Sequence, residues 1–100
     1  MSLGARTAAL VATNAENMAE RIVNDEARVV NRLVGWLRRL VAADAPAAGA
    51  ALARLEEAPQ DQVRLHEFAQ ALNRRGVADA GFRSDLEALI GQARAEGVDI

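Results

Sequence analysis

The sequence contains no cysteine, no lysine and no tyrosine, and only one histidine among its 100 residues. Without cysteine there is no disulfide, no thiolate zinc site and no cysteine nucleophile. The lone histidine lies in His66-Glu67-Phe68-Ala69-Gln70. A zinc-protease helix needs a second histidine where Gln70 stands, so His66 reads as a residue at the edge of a helix, not as a metal ligand. Hydroxyls are confined to Ser2, Thr7, Thr13 and Ser84, none of them in a nucleophile elbow. The seven glycines are scattered and form no phosphate-cradling loop. Glu56 and Glu57 are adjacent carboxylates, but neighbours in sequence diverge on a helix, so they read as a solvated face. The expectation is a protein with no catalytic residue, no metal and no cofactor, and not an enzyme.

Long hydrophobic runs are also missing. The most apolar stretch, Val29 to Val41, is interrupted by Asn31, Arg32, Arg38 and Arg39, and it is too short to span a bilayer. The N-terminus has no basic leader followed by an apolar core. These features predict a cytoplasmic protein without a membrane partner. The net charge of −2 argues against bulk nucleic-acid binding. It is nevertheless uneven. Residues 1–41 hold six arginines against Glu16, Glu20, Asp25 and Glu26, while residues 42–100 hold six arginines against ten acids. A mildly basic first part against an acidic remainder suits intramolecular packing or head-to-tail association. Arg28, Arg32 and Arg39 form a basic stripe on the long helix described next, without helix-turn-helix spacing beside it, and no nucleic-acid partner is expected.

What is present is helical periodicity. Hydrophobic residues make up 51% of the chain, with alanine the largest share and only two Phe and one Trp, so packing must rely on close helix approach. Thr13-Asn14-Ala15-Glu16 fits a capping box. From there a single helix is predicted to about Ala42. Met18, Ile22, Val29, Leu33, Trp36 and Leu40 form one stripe, and Val23, Val30, Val34, Leu37 and Val41 a second beside it. Together they span an arc of roughly 160°, wider than one packing seam requires. Such a helix touches two neighbours, or one neighbour and another protein chain. Its valines are poor helix formers, so tertiary packing must hold it. Glu26 projects into the arc, either reaching water at the bundle edge or pairing with an arginine. Gly35 lies on the polar face, where it costs about 1 kcal/mol relative to alanine unless it permits a close contact or a bend.

Three shorter helices follow. Asp44-Ala45-Pro46 is predicted to start one that runs to about Glu57, with Leu52 and Leu55 inward and Ala58-Pro59 as the stop. A second spans about Gln60–Arg75 with Leu65, Phe68, Ala69 and Leu72 buried, closed by Gly76 and a turn anchored by Val77. Asp79 caps the last, about Ala80–Glu96, with Phe82, Leu86, Leu89, Ile90 and Ala93 inward and Gly97 at its end. Ser84 and Glu87 repeat the capping-box spacing inside it. The fold class predicted is all-α: a four-helix bundle with a long first helix over residues 14–97. Residues 1–13 are either a short helical arm on the bundle or a frayed end, and residues 98–100 a tail or linker.

From Asn31 to Arg94 the sequence resembles a known group. The residues that carry the likeness are Leu33-Val34-Gly35-Trp36-Leu37-Arg38-Arg39-Leu40, the segment Ala47-Ala48-Gly49-Ala50-Ala51-Leu52-Ala53-Arg54-Leu55-Glu56-Glu57-Ala58-Pro59, and Phe82-Arg83-Ser84-Asp85-Leu86-Glu87-Ala88-Leu89-Ile90. They resemble small helical modules of actinobacterial conflict and immunity proteins, grouped with effector-associated or bacterial death-like domains. Such modules are coupled to NTPase, protease or repeat regions or stand alone as adaptors. The resemblance implies a recruitment domain whose partner is itself, as a homo-oligomer, or another helical effector protein. The wide arc makes Val29, Leu33, Trp36, Leu37 and Leu40 the candidate interaction residues. The alternative is a small helical ligand-binding or regulatory domain with a pocket near Trp36.

Overall fold

The computed structural model describes residues 1–100 as five α-helices and one 3₁₀ turn, with no strand. The helices are α1 (Leu3–Ala19), α2 (Asp25–Asp44), α3 (Gly49–Glu57), α4 (Gln62–Ala78) and α5 (Ala80–Ala95), with the 3₁₀ turn at Pro46–Ala48 between α2 and α3. The all-α class expected from periodicity holds, but the arrangement differs from a four-helix bundle led by one long helix.

The single helix expected over residues 14–42 is two helices. α1 ends in a two-bond cap: Arg21 N–H donates to the Met18 carbonyl at 3.3 Å and Ile22 N–H to the Asn17 carbonyl at 2.9 Å. This geometry places Arg21 in the left-handed region, at φ 55°, where glycine is usual. Asn24 then restarts the chain. Its side-chain oxygen accepts from Ala27 N–H at 2.7 Å, and Asp25 and Glu26 follow in the first turn, where the helix dipole favours acids. The Thr13–Glu16 box falls inside α1 and caps nothing.

Residues 1–13 are not a peripheral arm. They form most of α1, which is capped by Ser2 Oγ accepting from Ala5 N–H at 3.1 Å. α1 runs through the middle of the molecule and packs against α2, α3, α4 and α5, most extensively against α4. Ala8, Leu10 and Val11 are completely buried. Small residues permit this. A Cβ on Gly4 would lie 2.2 Å from the Ala69 carbonyl oxygen and 2.6 Å from Asn73 Oδ1. Asn73 uses the contact: its Oδ1 accepts from Gly4 N–H at 2.9 Å, and its Nδ2 donates to Ser2 Oγ at 3.1 Å. A free donor of the α1 N-terminus is thereby satisfied from α4.

The later helices follow their sequence signals more closely. Asp61 caps α4 by accepting from Val63 N–H at 2.9 Å, and Asp79 caps α5 by accepting from Phe82 N–H at 3.1 Å. Asp44 is the last residue of α2 and does not cap the next helix, because Pro46–Ala48 forms a separate 3₁₀ turn. Gly76 lies inside α4, which continues to Ala78, and Val77 is 87% exposed instead of anchoring a turn. Residues 98–100 are docked. Gly97, at φ 87°, and Val98 close α5 through Gly97 N–H to the Arg94 carbonyl and Val98 N–H to the Ala93 carbonyl. This is a Schellman motif that turns Val98 back into the core.

One cluster of 22 buried residues joins all five helices, with Phe68 and Phe82 its largest members. The radius of gyration, 12.4 Å, is close to the ~13 Å expected of a folded chain this long. Thr7 is buried but donates to the Leu3 carbonyl at 2.9 Å.

Two glycine substitutions should act in opposite directions. Gly4→Ala must push α1 off the α4 backbone and is expected to cost about 1–3 kcal/mol or more. Gly35 has no atom within 4 Å of a Cβ position, so it makes no close contact, and Gly35→Ala should stabilise α2 by roughly 0.5–1 kcal/mol. Urea or thermal unfolding of both variants measures the pair.

Candidate interaction surface

Of the five residues chosen from the wide arc, Leu33, Leu37 and Leu40 are buried in the core and face no other chain. α1 and α5 fill the space that the sequence pattern left open. Val29 and Trp36 are half-buried and packed against the edge of that core. They define what remains of the arc as surface.

Trp36 stands over a dimple of about 280 Å³, bordered by Arg32, Leu33 and Arg39 of α2 and by Gln92 of α5. Arg32 reaches across to Glu96 just beyond α5, forming an ion pair, and Gln92 Nε2 donates to the same carboxylate at 3.0 Å. The hydrogen bond from Arg32, followed by that from Gln92, holds the Glu96 carboxyl below the usual carboxylate range. Arg28 pairs with Asp25 at 3.4 Å. Arg39 is exposed and has no carboxylate within ion-pairing distance. On the opposite flank of α2, Arg38 pairs with Glu56 of α3. Glu26 is exposed and makes no ion pair, in keeping with a side chain that reaches water.

A second surface lies at the α1–α2 corner and was hidden in the sequence by the continuous apolar stripe. Met18, Ile22 and Val23 are 63%, 40% and 74% exposed. They border a dimple of about 190 Å³ together with Asn17, Ala27, Arg28 and Asn31. The signal that could have revealed it is Asn24-Asp25-Glu26, a helix start placed in the middle of the stripe.

The largest concavity is elsewhere, an open groove of about 760 Å³ between residues 43–48 and the end of α4. Alanines form most of its floor, and Arg74 and Arg75 flank it. Arg75 Nη2 donates to Asp79 Oδ2 at 3.0 Å, while its buried Nε has no acceptor. His66 is exposed at the outside of α4. No three histidine, aspartate or glutamate side chains gather as a metal site would need, and no helix is long and apolar enough to cross a membrane.

No known family, no curated protein and no solved structure matches the chain. The surface geometry therefore stands without a relative to interpret it.

Two outcomes follow from this geometry. Leu37→Ala, at a completely buried position, should cost about 2–5 kcal/mol, and Trp36→Ala distinctly less, because only part of the ring is covered; chemical denaturation ranks them. Glu96 has a lowered folded-state pKa, so its contribution is present above the unfolded carboxylate pKa and lost as pH falls through the folded value. The melting temperature of the wild type should exceed that of Glu96→Gln at neutral pH, and the gap should close in acid.

Proposed function

We propose that this chain is a non-catalytic, cytoplasmic protein-interaction adaptor that self-associates or recruits a helical effector, as in bacterial immunity and signalling systems. The observation that carries the reading is the apolar α1–α2 corner. Met18, Ile22 and Val23 sit side by side in water at the α1–α2 corner, whereas Leu10 and Val11 of α1 and Val30, Leu33, Val34 and Leu37 of α2 are buried. Contiguous exposed apolar side chains of this kind are a mark of protein contact sites. The resemblance of residues 31–94 to death-like adaptor modules supports the same reading from the sequence side. No nucleic acid, membrane, metal or cofactor enters it.

A second reading, a helical ligand-binding or regulatory domain, is favoured by one observation, the groove of about 760 Å³. That size falls within the usual range for small-molecule sites. The groove lies at the ends of α2 and α4, however, whereas the concavity beside Trp36 is only about 280 Å³.

Sedimentation velocity over a concentration series distinguishes the two. Self-association should grow with concentration and be lost in a Met18→Ser, Val23→Ser double variant whose helical circular dichroism is unchanged. A strict monomer that captures no partner contradicts the adaptor reading. Saturable binding of a metabolite blocked by Arg74→Ala would favour the ligand-binding one.

A further inference from the structure

On α2, Val29, Arg32, Trp36 and Arg39 follow one another at spacings of three, four and three residues. That spacing puts the four on one face of the helix, a seam half-buried at Val29 and Trp36 and exposed at Arg32 and Arg39. Its charges are matched except at one end. Asp25 answers Arg28, Glu96 answers Arg32, and no carboxylate answers Arg39. Trp36, one turn before Arg39, supplies a flat apolar surface with its inner edge already desolvated. Tryptophan and arginine together are the residue types that most often carry binding energy at interfaces.

We propose that this seam docks an acidic amphipathic helix of a partner protein, with an apolar side chain over Trp36 and a carboxylate on Arg39. The inference rests on the adaptor reading and gives it a partner class. Charge complementarity selects the occupant. A second copy related by two-fold symmetry would bring the same face against itself and oppose its unmatched arginines, which like-charge repulsion disfavours. A polyanion such as DNA would find a single unmatched cation here on a chain of net charge −2.

Glu96 makes the idea testable in a way that simple apolar docking is not. It neutralises Arg32 within the chain, so removing its charge should give the incoming helix a second cation. The probe is a capped, alanine-rich helical peptide without tryptophan, bearing leucine and glutamate three and four residues apart on one face. The same peptide with lysine in place of glutamate, and a short DNA duplex, are the comparisons. Trp36 is the only tryptophan, so its emission reports the seam directly. The glutamate peptide should shift the emission to the blue saturably, with an affinity that falls as salt rises. Arg39→Glu should weaken binding by roughly tenfold or more, Arg39→Lys should retain most of it, and Glu96→Gln should strengthen it. Both positions are exposed, and circular dichroism verifies that each variant is folded. The proposal is overturned if the lysine peptide or the duplex binds as well, if Arg39→Glu or Glu96→Gln leaves the affinity unchanged, or if no saturable shift occurs. Continued self-association without peptide binding would remove this seam and leave the adaptor reading standing. Peptide binding by a strict monomer that captures no protein would do the reverse.

Discussion

The structure depends on how closely α1 approaches α4. At Gly4 the two backbones meet with no room for a side chain, and the Ala69 carbonyl occupies the place of the missing Cβ. Asn73 ties the contact with a bond to Gly4 N–H and another to Ser2. Gly4, Ala8 and Ala12 are buried at four-residue intervals, so the same small face continues along the helix. A helix with large residues there could not sit among four others. Because α1 takes the centre, α2 spends Leu33, Leu37 and Leu40 on the interior and keeps only Val29 and Trp36 at its margin.

This constraint explains what sequence reading captured. α5 was recognisable because its aspartate cap, Asp79, and its leucine and phenylalanine stripe coincide, and α4 from its stripe alone, its cap Asp61 lying just inside the start expected at about Gln60. α1 was largely illegible. Its packing depends on glycine and alanine, which carry little hydrophobic signal, and its importance comes from proximity to other backbones. The α1–α2 break was masked for a different reason. Met18 and Ile22 happen to be in phase with Val29 and Leu33, so the stripe passes unbroken through a reversal of the chain. That phase agreement conceals the Asn24 cap, and local hydrogen bonding decides where the helix stops. The candidate site was half legible for the same reason. The basic stripe and Trp36 are on the surface, but the leucines beside them are claimed by α1 and α5.

Charge organises the outside of the bundle, whereas α1 makes no ion pair. Arg32 links α2 to the end of α5, Arg38 links α2 to α3, and Arg54–Glu67 and Arg64–Glu57 join α3 to α4 at 3.5 Å. These pairs lie at the surface, where solvent screens them, and each adds little to stability. Their effect lies in matching neighbouring helices, since a wrong neighbour would leave like charges opposed. Of the six arginines in the basic first part, two, Arg32 and Arg38, pair with acids of the acidic remainder. Arg39 is among the arginines that this matching omits, with Arg6, Arg21, Arg74 and Arg94.

The α1–α2 corner carries two costs at one place. Arg21 holds a left-handed conformation that disfavours a side-chain-bearing residue by about 1–2 kcal/mol, and the residues around it leave apolar surface in water. At Gly97 the same type of helix ending uses glycine and buries the apolar residue that follows it, Val98. At Arg21 the equivalent residue, Ile22, is 40% exposed and Val23 more so. One chain therefore contains both the relaxed and the strained form of one motif. The difference is not forced by connectivity, since glycine at residue 21 would satisfy the same hydrogen bonds. Covering Met18, Ile22 and Val23 would recover about 25 cal/mol for each Å² of apolar area removed from water. Within the monomer these three side chains stay exposed. A contact made at this corner would offset a cost that the isolated fold leaves standing.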